Sequence, residues 1–324
     1  YIQAYKHANA VINQTRQEYY RDKLAVNVKN KKETYKIVNK LMDKDTSVNL
    51  RPTHKPTLAV CEELKDFFQE KVEKIYSDIG EESGMEELMM DFRGLPFENF
   101  KVIDEDELVA VWSEINKKEC EADPIPVKLL SECFDEIKPI LLFIINESLS
   151  KGIFPTDIKH ALVRPAIKDE SGDVNEYRNY RPISNLPFLS KILEKCVHRQ
   201  LTKYLDMNQL HAERQSGYRE HHSCETATLS MYNDLLCVSD DRSKIILVLL
   251  DLSAAFDTVN HEQLLNKLHK KFGLRGNVLQ WFCSYLEGRS FSVTIDRVRS
   301  KRCFLRIGVP QGSILGPILF ILYT

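Results

Sequence analysis

Apolar residues recur along this chain at two periods, one helical and one of strands. Val60, Leu64, Phe67, Phe68, Val72 and Ile75 fall at helical spacing, so 58–76 reads as an amphipathic helix. Residues 106–116 read as a helix whose first-turn acids suit the helix dipole. Residues 139–150 read as a buried helix, stopped by the Gly and Pro of KGIFP. Residues 161–167 are a short strand candidate, and 168–187 a long polar loop of the kind that is usually functional or mobile. Helices are expected over 189–205, 261–272 and 277–286, and the alternation over 290–306 predicts a hairpin. The best strand is IILVLLDL, 245–252, six aliphatic residues ending on Asp251. The apolar run 318–323 reads as a further strand, and both would expose edges prone to aggregation.

The first hundred residues differ in character. Residues 1–42 read as one or two charged surface helices, 43–57 as a polar linker with two prolines, and 77–96 as a boundary rich in acids and glycine. The expected organisation is therefore a mainly helical connector over 1–100, then 101–244 and 245–324. At roughly 150 residues per domain, 324 residues suggest about two domains.

Composition excludes several classes. With 43% hydrophobic and 28% charged residues the chain is an ordinary globular protein. The net charge of −2, from 45 bases and 47 acids, means that any nucleic-acid surface must be a local patch. No apolar run approaches the ~20 residues of a membrane span. The eight cysteines form no CxxC pair and read as reduced intracellular thiols used as small core residues. His221, His222 and Cys224 in HHSC fall short of the four ligands of a zinc site, and no second knuckle accompanies them. The chain lacks an initiator Met and reads as a piece of a longer protein.

An acid at the end of a buried strand needs a partner. Asp251 could bind a divalent metal, with the Leu252 carbonyl completing part of the cage, or it could cap the next helix. Asp257 is the nearest second acid; if a helix begins after Leu252 it points away and serves a turn or cap. Asp240 and Asp241, flanked by polar residues, read as a turn. On 189–205, Lys191, Lys195 and Arg199 repeat every four positions, as either a solvated face or a contact for a phosphate backbone.

Five ordered stretches resemble reverse transcriptases of non-LTR retrotransposons, with wording closest to the jockey-like group. LVLLDLSAAFDTVNH and GVPQGSILGPILFILYT are similar to the first two palm motifs. NYRPIS, with the preceding VRPAIK, is similar to the fingers motifs, and ADPIPVKLL and QSGYREHHSCETATL fit the same order. The resemblance implies an α+β, α/β-like right-hand fold of fingers and partial palm. It implies RNA-directed DNA synthesis by two Mg²⁺ ions on an RNA template and a DNA primer or target, with dNTPs as substrates, in cytoplasm and nucleus. Asp251 would be the first catalytic, metal-binding aspartate and Leu252 would lend its carbonyl. Phe256 would be the steric gate against a 2′-OH, although from spacing alone it reads as core. Gln311 and Gly312 would line the base-pair pocket, and Lys168 and Arg181 would grip the triphosphate. The family's aromatic–X–Asp–Asp hairpin does not occur in these 324 residues. The expectation is therefore negligible polymerase activity by this chain alone. The alternatives are a non-catalytic nucleic-acid-binding remnant and a decayed translation with no stable fold.

Overall fold

The structure, a computed structural model, describes residues 14–15, 17–26, 34, 55–79, 92–169, 172–240, 243–252 and 254–324. The chain divides at Arg51 into two units. In the first, 17–26 are helical and Tyr19 meets Tyr20 edge-on at 5.2 Å. The expected linker over 43–57 and boundary over 77–96 fall largely outside the described residues.

The second unit is α+β. Helix α1 (Thr57–Ile79) is the stripe expected over 58–76, and it buries Val60, Leu64 and Phe68. Helix α2 (Glu105–Glu114) starts on Asp104, whose side chain accepts from Glu107 N at 2.8 Å. Helices α3 (Val127–Glu132) and α4 (Phe134–Lys151) follow. Gly152 ends α4 at φ +64, the left-handed cap that KGIFP predicts. Strand β1 (His160–Ile167) is the expected strand, one residue longer. The polar loop expected over 168–187 instead contains β2 (Tyr180–Asn185). Its prolines and polar residues hide the strand in the sequence. Pro182 stands opposite Pro165 of β1, beyond the stretch of β1 that pairs with the next strand, so neither proline removes a needed donor on that side.

Helix α5 (Phe188–Met207) is long and one-sided, and α6 (Cys224–Asp240) buries no residue. Helices α7 (His261–Lys270) and α8 (Gly276–Leu286) match expectation, and Asn260 caps α7 by accepting from Gln263 N at 3.0 Å. The hairpin region forms β3 (Ser290–Ile295), β4 (Val298–Arg299) and β5 (Cys303–Phe304). The sheet order is β2-β1-β3-β4. β1 runs antiparallel to β2 and parallel to β3, and β5 also pairs with β3. One core lies between α1 and the sheet; the other joins α2, α4, α5, α7, α8 and α9 (Gly316–Tyr323).

Two expected strands are corrected. Residues 318–323 lie in α9, with Ile318, Leu319 and Leu322 buried. Ser313 Oγ accepts from Gly316 N at 2.9 Å and Pro317 occupies the first turn, so the local chemistry opens a helix. Residues 245–252 have no ladder partner and no regular structure, and Ile246 and Leu250 are 90% and 89% exposed. An apolar run becomes a strand only where a neighbouring edge takes its N–H and C=O groups. The cysteines also divide: Cys61, Cys120, Cys196 and Cys303 are buried, whereas Cys224 and Cys237 are exposed.

Candidate functional site

The loop between β5 and α9 is clipped to the rest of the unit from three directions. Gly308 N donates to Val259 O and Val309 N to Phe256 O, both at 2.8 Å, while His261 Nε2 donates to Gly308 O at 2.7 Å. Gly308 sits at φ +85, and a Cβ there would stand 2.7 Å from the Asp257 carbonyl oxygen. Opposite, Ser184 N of β2 donates to Gln311 O at 2.8 Å. Gly312 adopts φ +128, and a side chain there would overlap the Ser184 carbonyl. The third clip is Glu194 of α5, fully buried. Its carboxyl oxygens accept from Ile314 N (2.8 Å), Leu315 N (3.2 Å), Ser190 Oγ (3.0 Å) and Tyr285 OH (3.3 Å). One carboxyl group thus joins α5, α8 and the start of α9.

A cavity of about 690 Å³ lies against this loop, within the size range of small-molecule sites. Gln311, Ser184 and Asp257 line it on one side, and Phe68, Lys71 and Tyr76 of α1 on the other. Asp257 closes a turn, its N–H donating to Ala254 O at 2.8 Å, and it lines the cavity, which Asp251 does not. No helix follows Leu252; residues 254–258 form a turn under the loop. Burial lifts the Asp257 carboxyl to about 6, against the opposing pull of Lys71. Lys168 begins the turn between β1 and β2 and donates to Arg178 O at 2.6 Å. Its ammonium is held below the ordinary range by burial first, then by Lys71 and Arg181.

Of the expected site residues only Gln311 lines the cavity; Lys168, Arg181, Gly312 and Phe256 do not. Asp251 and Leu252 are exposed on the unpaired segment, and neither lines the cavity. Among the described residues no three His, Cys, Asp or Glu side chains are placed to hold a metal ion, HHSC included. The described residues therefore supply no complete ligand set for a divalent metal. Phe256 packs into the helical core beside Phe320, ring centroids 5.4 Å apart, with Tyr218 at 6.4 Å. The basic stripe of α5 is mostly paired. Lys195 and Arg199 each reach Glu114 of α2 at 3.0 Å, and Lys191 donates to Asn185 Oδ1 at 3.2 Å. Beside them burial, with the Lys195 charge, pushes His198 down to about 4.

Glu194 and Lys71 were missed by sequence reasoning, yet both leave a trace. Glu194 adjoins Leu193 and Val197 on the buried side of α5. Lys71 follows Leu64 by seven residues, where the apolar stripe of α1 calls for another hydrophobe.

Comparison with known proteins adds the family. Residues 167–324, just under half of the chain, match the family model described as reverse transcriptase (RNA-dependent DNA polymerase). A probable RNA-directed DNA polymerase from transposon BS of Drosophila melanogaster is 33% identical over 189 residues, 57% of this chain and 20% of that protein. The RNA-directed DNA polymerase from mobile element jockey of Drosophila funebris is 30% identical over 226 residues, 63% of this chain and 24% of that protein. A probable RNA-directed DNA polymerase from transposon X-element of Drosophila melanogaster is 34% identical over 149 residues, 46% of this chain and 16% of that protein. The chain spans about a fifth of the length of the relatives it matches.

Proposed function

We propose that this chain is a piece of a non-LTR retrotransposon reverse transcriptase, whose family model residues 167–324 match, and that the cavity beneath Gln311 receives the incoming nucleotide of RNA-templated DNA synthesis. The observation that carries this reading is the clip between Ser184 and Gln311, with Gly312 pressed on the Ser184 carbonyl. It joins two motifs that lie far apart in sequence, and both Ser184 and Gln311 line the cavity.

In this reading β1, β2 and α5 belong to the fingers, and the loop with α9 to the palm. Gln311 and Gly312 face the nascent base pair. Lys168 and Arg181 hold the triphosphate, the lysine as a point charge and the arginine as a planar fork. Phe256, which packs beside Phe320 and does not line the cavity, is the candidate gate for the sugar only by the resemblance of its motif. The family uses divalent metal ions; Asp251 with the Leu252 carbonyl is this chain's candidate for that role, and Mg²⁺ the proposed ion. RNA template and DNA primer are the proposed nucleic-acid partners. Among the described residues no helix is long and apolar enough to cross a membrane.

The test is a titration of the purified chain with dTTP, followed by calorimetry. Q311A and R181A are expected to weaken binding by about tenfold each, the worth of one charge-assisted or well-placed polar contact. Unchanged affinity in both variants would sink the assignment. Template-dependent dNTP incorporation is expected to be negligible. Robust incorporation that D251A abolishes would overturn that expectation and place Asp251 in the chemistry.

A further inference from the structure

The family match begins at residue 167, but one wall of the nucleotide cavity comes from α1, some ninety residues earlier. Phe68, Lys71 and Tyr76 face the cavity from that helix, and the Tyr76 hydroxyl accepts a hydrogen bond from Asn260 Nδ2, fastening the end of α1 beside the 254–260 turn. Lys71 is half-buried and forms no ion pair among the described residues. Its neighbour Lys65, six residues earlier, does pair, with Glu62 at 2.8 Å. The acids that share the cavity with Lys71 are Glu73 and Asp257, and Arg306 adds a second cation. Lys168 lies within electrostatic reach of both Lys71 and Arg181. Neither Lys168 nor Arg181 lines the cavity, but Pro182, next to Arg181 on β2, does, and neither cation ion-pairs among the described residues. Like charges held together in a partly desolvated place repel unless an anion comes between them. A polyphosphate carries the right charge, and lysine is suited to it.

We propose that Lys71 is a phosphate contact inside this cavity, so that α1 helps to bind the triphosphate of an incoming nucleotide that Lys168 and Arg181 meet beyond the cavity's edge. The proposal rests on the nucleotide reading of the cavity. It also makes α1 a working part of the site, and not only a cover for the sheet.

The experiment compares wild type, K71A, K71R and K74A by calorimetric titration with dTTP, tripolyphosphate, thymidine and a single-stranded RNA oligonucleotide. Lys74 is exposed on α1 and does not line the cavity. K71A is expected to weaken dTTP and tripolyphosphate binding by about tenfold. K71R should keep most of the affinity, K74A should match wild type, and thymidine binding should be the same in every variant. A wild type that binds dTTP with K71A unchanged removes Lys71 from the site and leaves the nucleotide reading standing. A wild type that binds no dTTP removes both. A K71A defect confined to the RNA oligonucleotide overturns the triphosphate assignment and turns Lys71 toward a strand backbone.

Discussion

Glu194 concentrates four hydrogen bonds on one buried carboxyl group, two of them from the backbone that opens α9. Removing it orphans two amides and two hydroxyls in a dry interior, where each unsatisfied group costs about 1–3 kcal/mol. E194A is expected to lose about 3 kcal/mol of stability in urea unfolding, with E194Q retaining part of it, because an amide offers one accepting oxygen and turns donors toward donors. A loss below the scatter of the fit would refute this. Asp257 responds to pH in the opposite sense from an ordinary paired aspartate. Its folded carboxyl is raised from 3.8 to about 6. Between those values the folded chain holds a proton that the unfolded chain has released, so this group's contribution to stability falls as pH rises through that window. D257N is expected to melt higher than wild type at about pH 8 and nearly equal to it at about pH 4. The same difference at both pH values would count against a buried, raised carboxyl. Glu194 was legible only as an acid among apolar neighbours, and Asp257 only as a turn residue and not as one that lines a cavity, because a side chain's partners come from elements distant in sequence.

At the scale of elements, α1 shows periodicity at its most reliable. Its stripe was readable within three residues at each end, since burial of one helical face demands that spacing. What the stripe covers was not readable. Leu64 is fully buried with Phe291 and Val293 of β3, more than two hundred residues away. L64A is expected to cost about 3 kcal/mol, the usual loss for a leucine truncated in a packed core. A near-neutral L64A in thermal melting would mean that α1 does not hold to the sheet. Short apolar runs behaved differently. IILVLL and ILFILY are alike in composition, yet one is exposed without regular structure and the other is a buried helix. Ser313 and Pro317 carry the helix signal for the second, and nothing local separates strand from coil for the first. β2 was hidden for the converse reason, a strand built from polar residues and proline at an edge.

For the whole molecule, the second unit holds two cores, and the unpaired 245–252 segment belongs to neither. Amides there are expected to exchange with solvent at nearly unfolded rates, while those of Leu162 and Val163 in β1, paired on both sides, exchange through larger openings. Slow exchange at 246–250 would show a pairing partner for that run. Taken alone, the sequence determined the α+β class, most helices and the resemblance of its motifs, and it nominated Gln311, Gly312, Lys168 and Arg181. These are properties of local period and of ordered short patterns. Only the tertiary structure decided that Ser184 meets Gln311, that Lys195 and Arg199 are held by Glu114, that Asp251 stands outside the cavity and Asp257 inside it, and that Lys71 reaches the same space. Each of those depends on which surfaces meet across long stretches of chain. That choice is made by the packing of the two cores, and no window of sequence contains it.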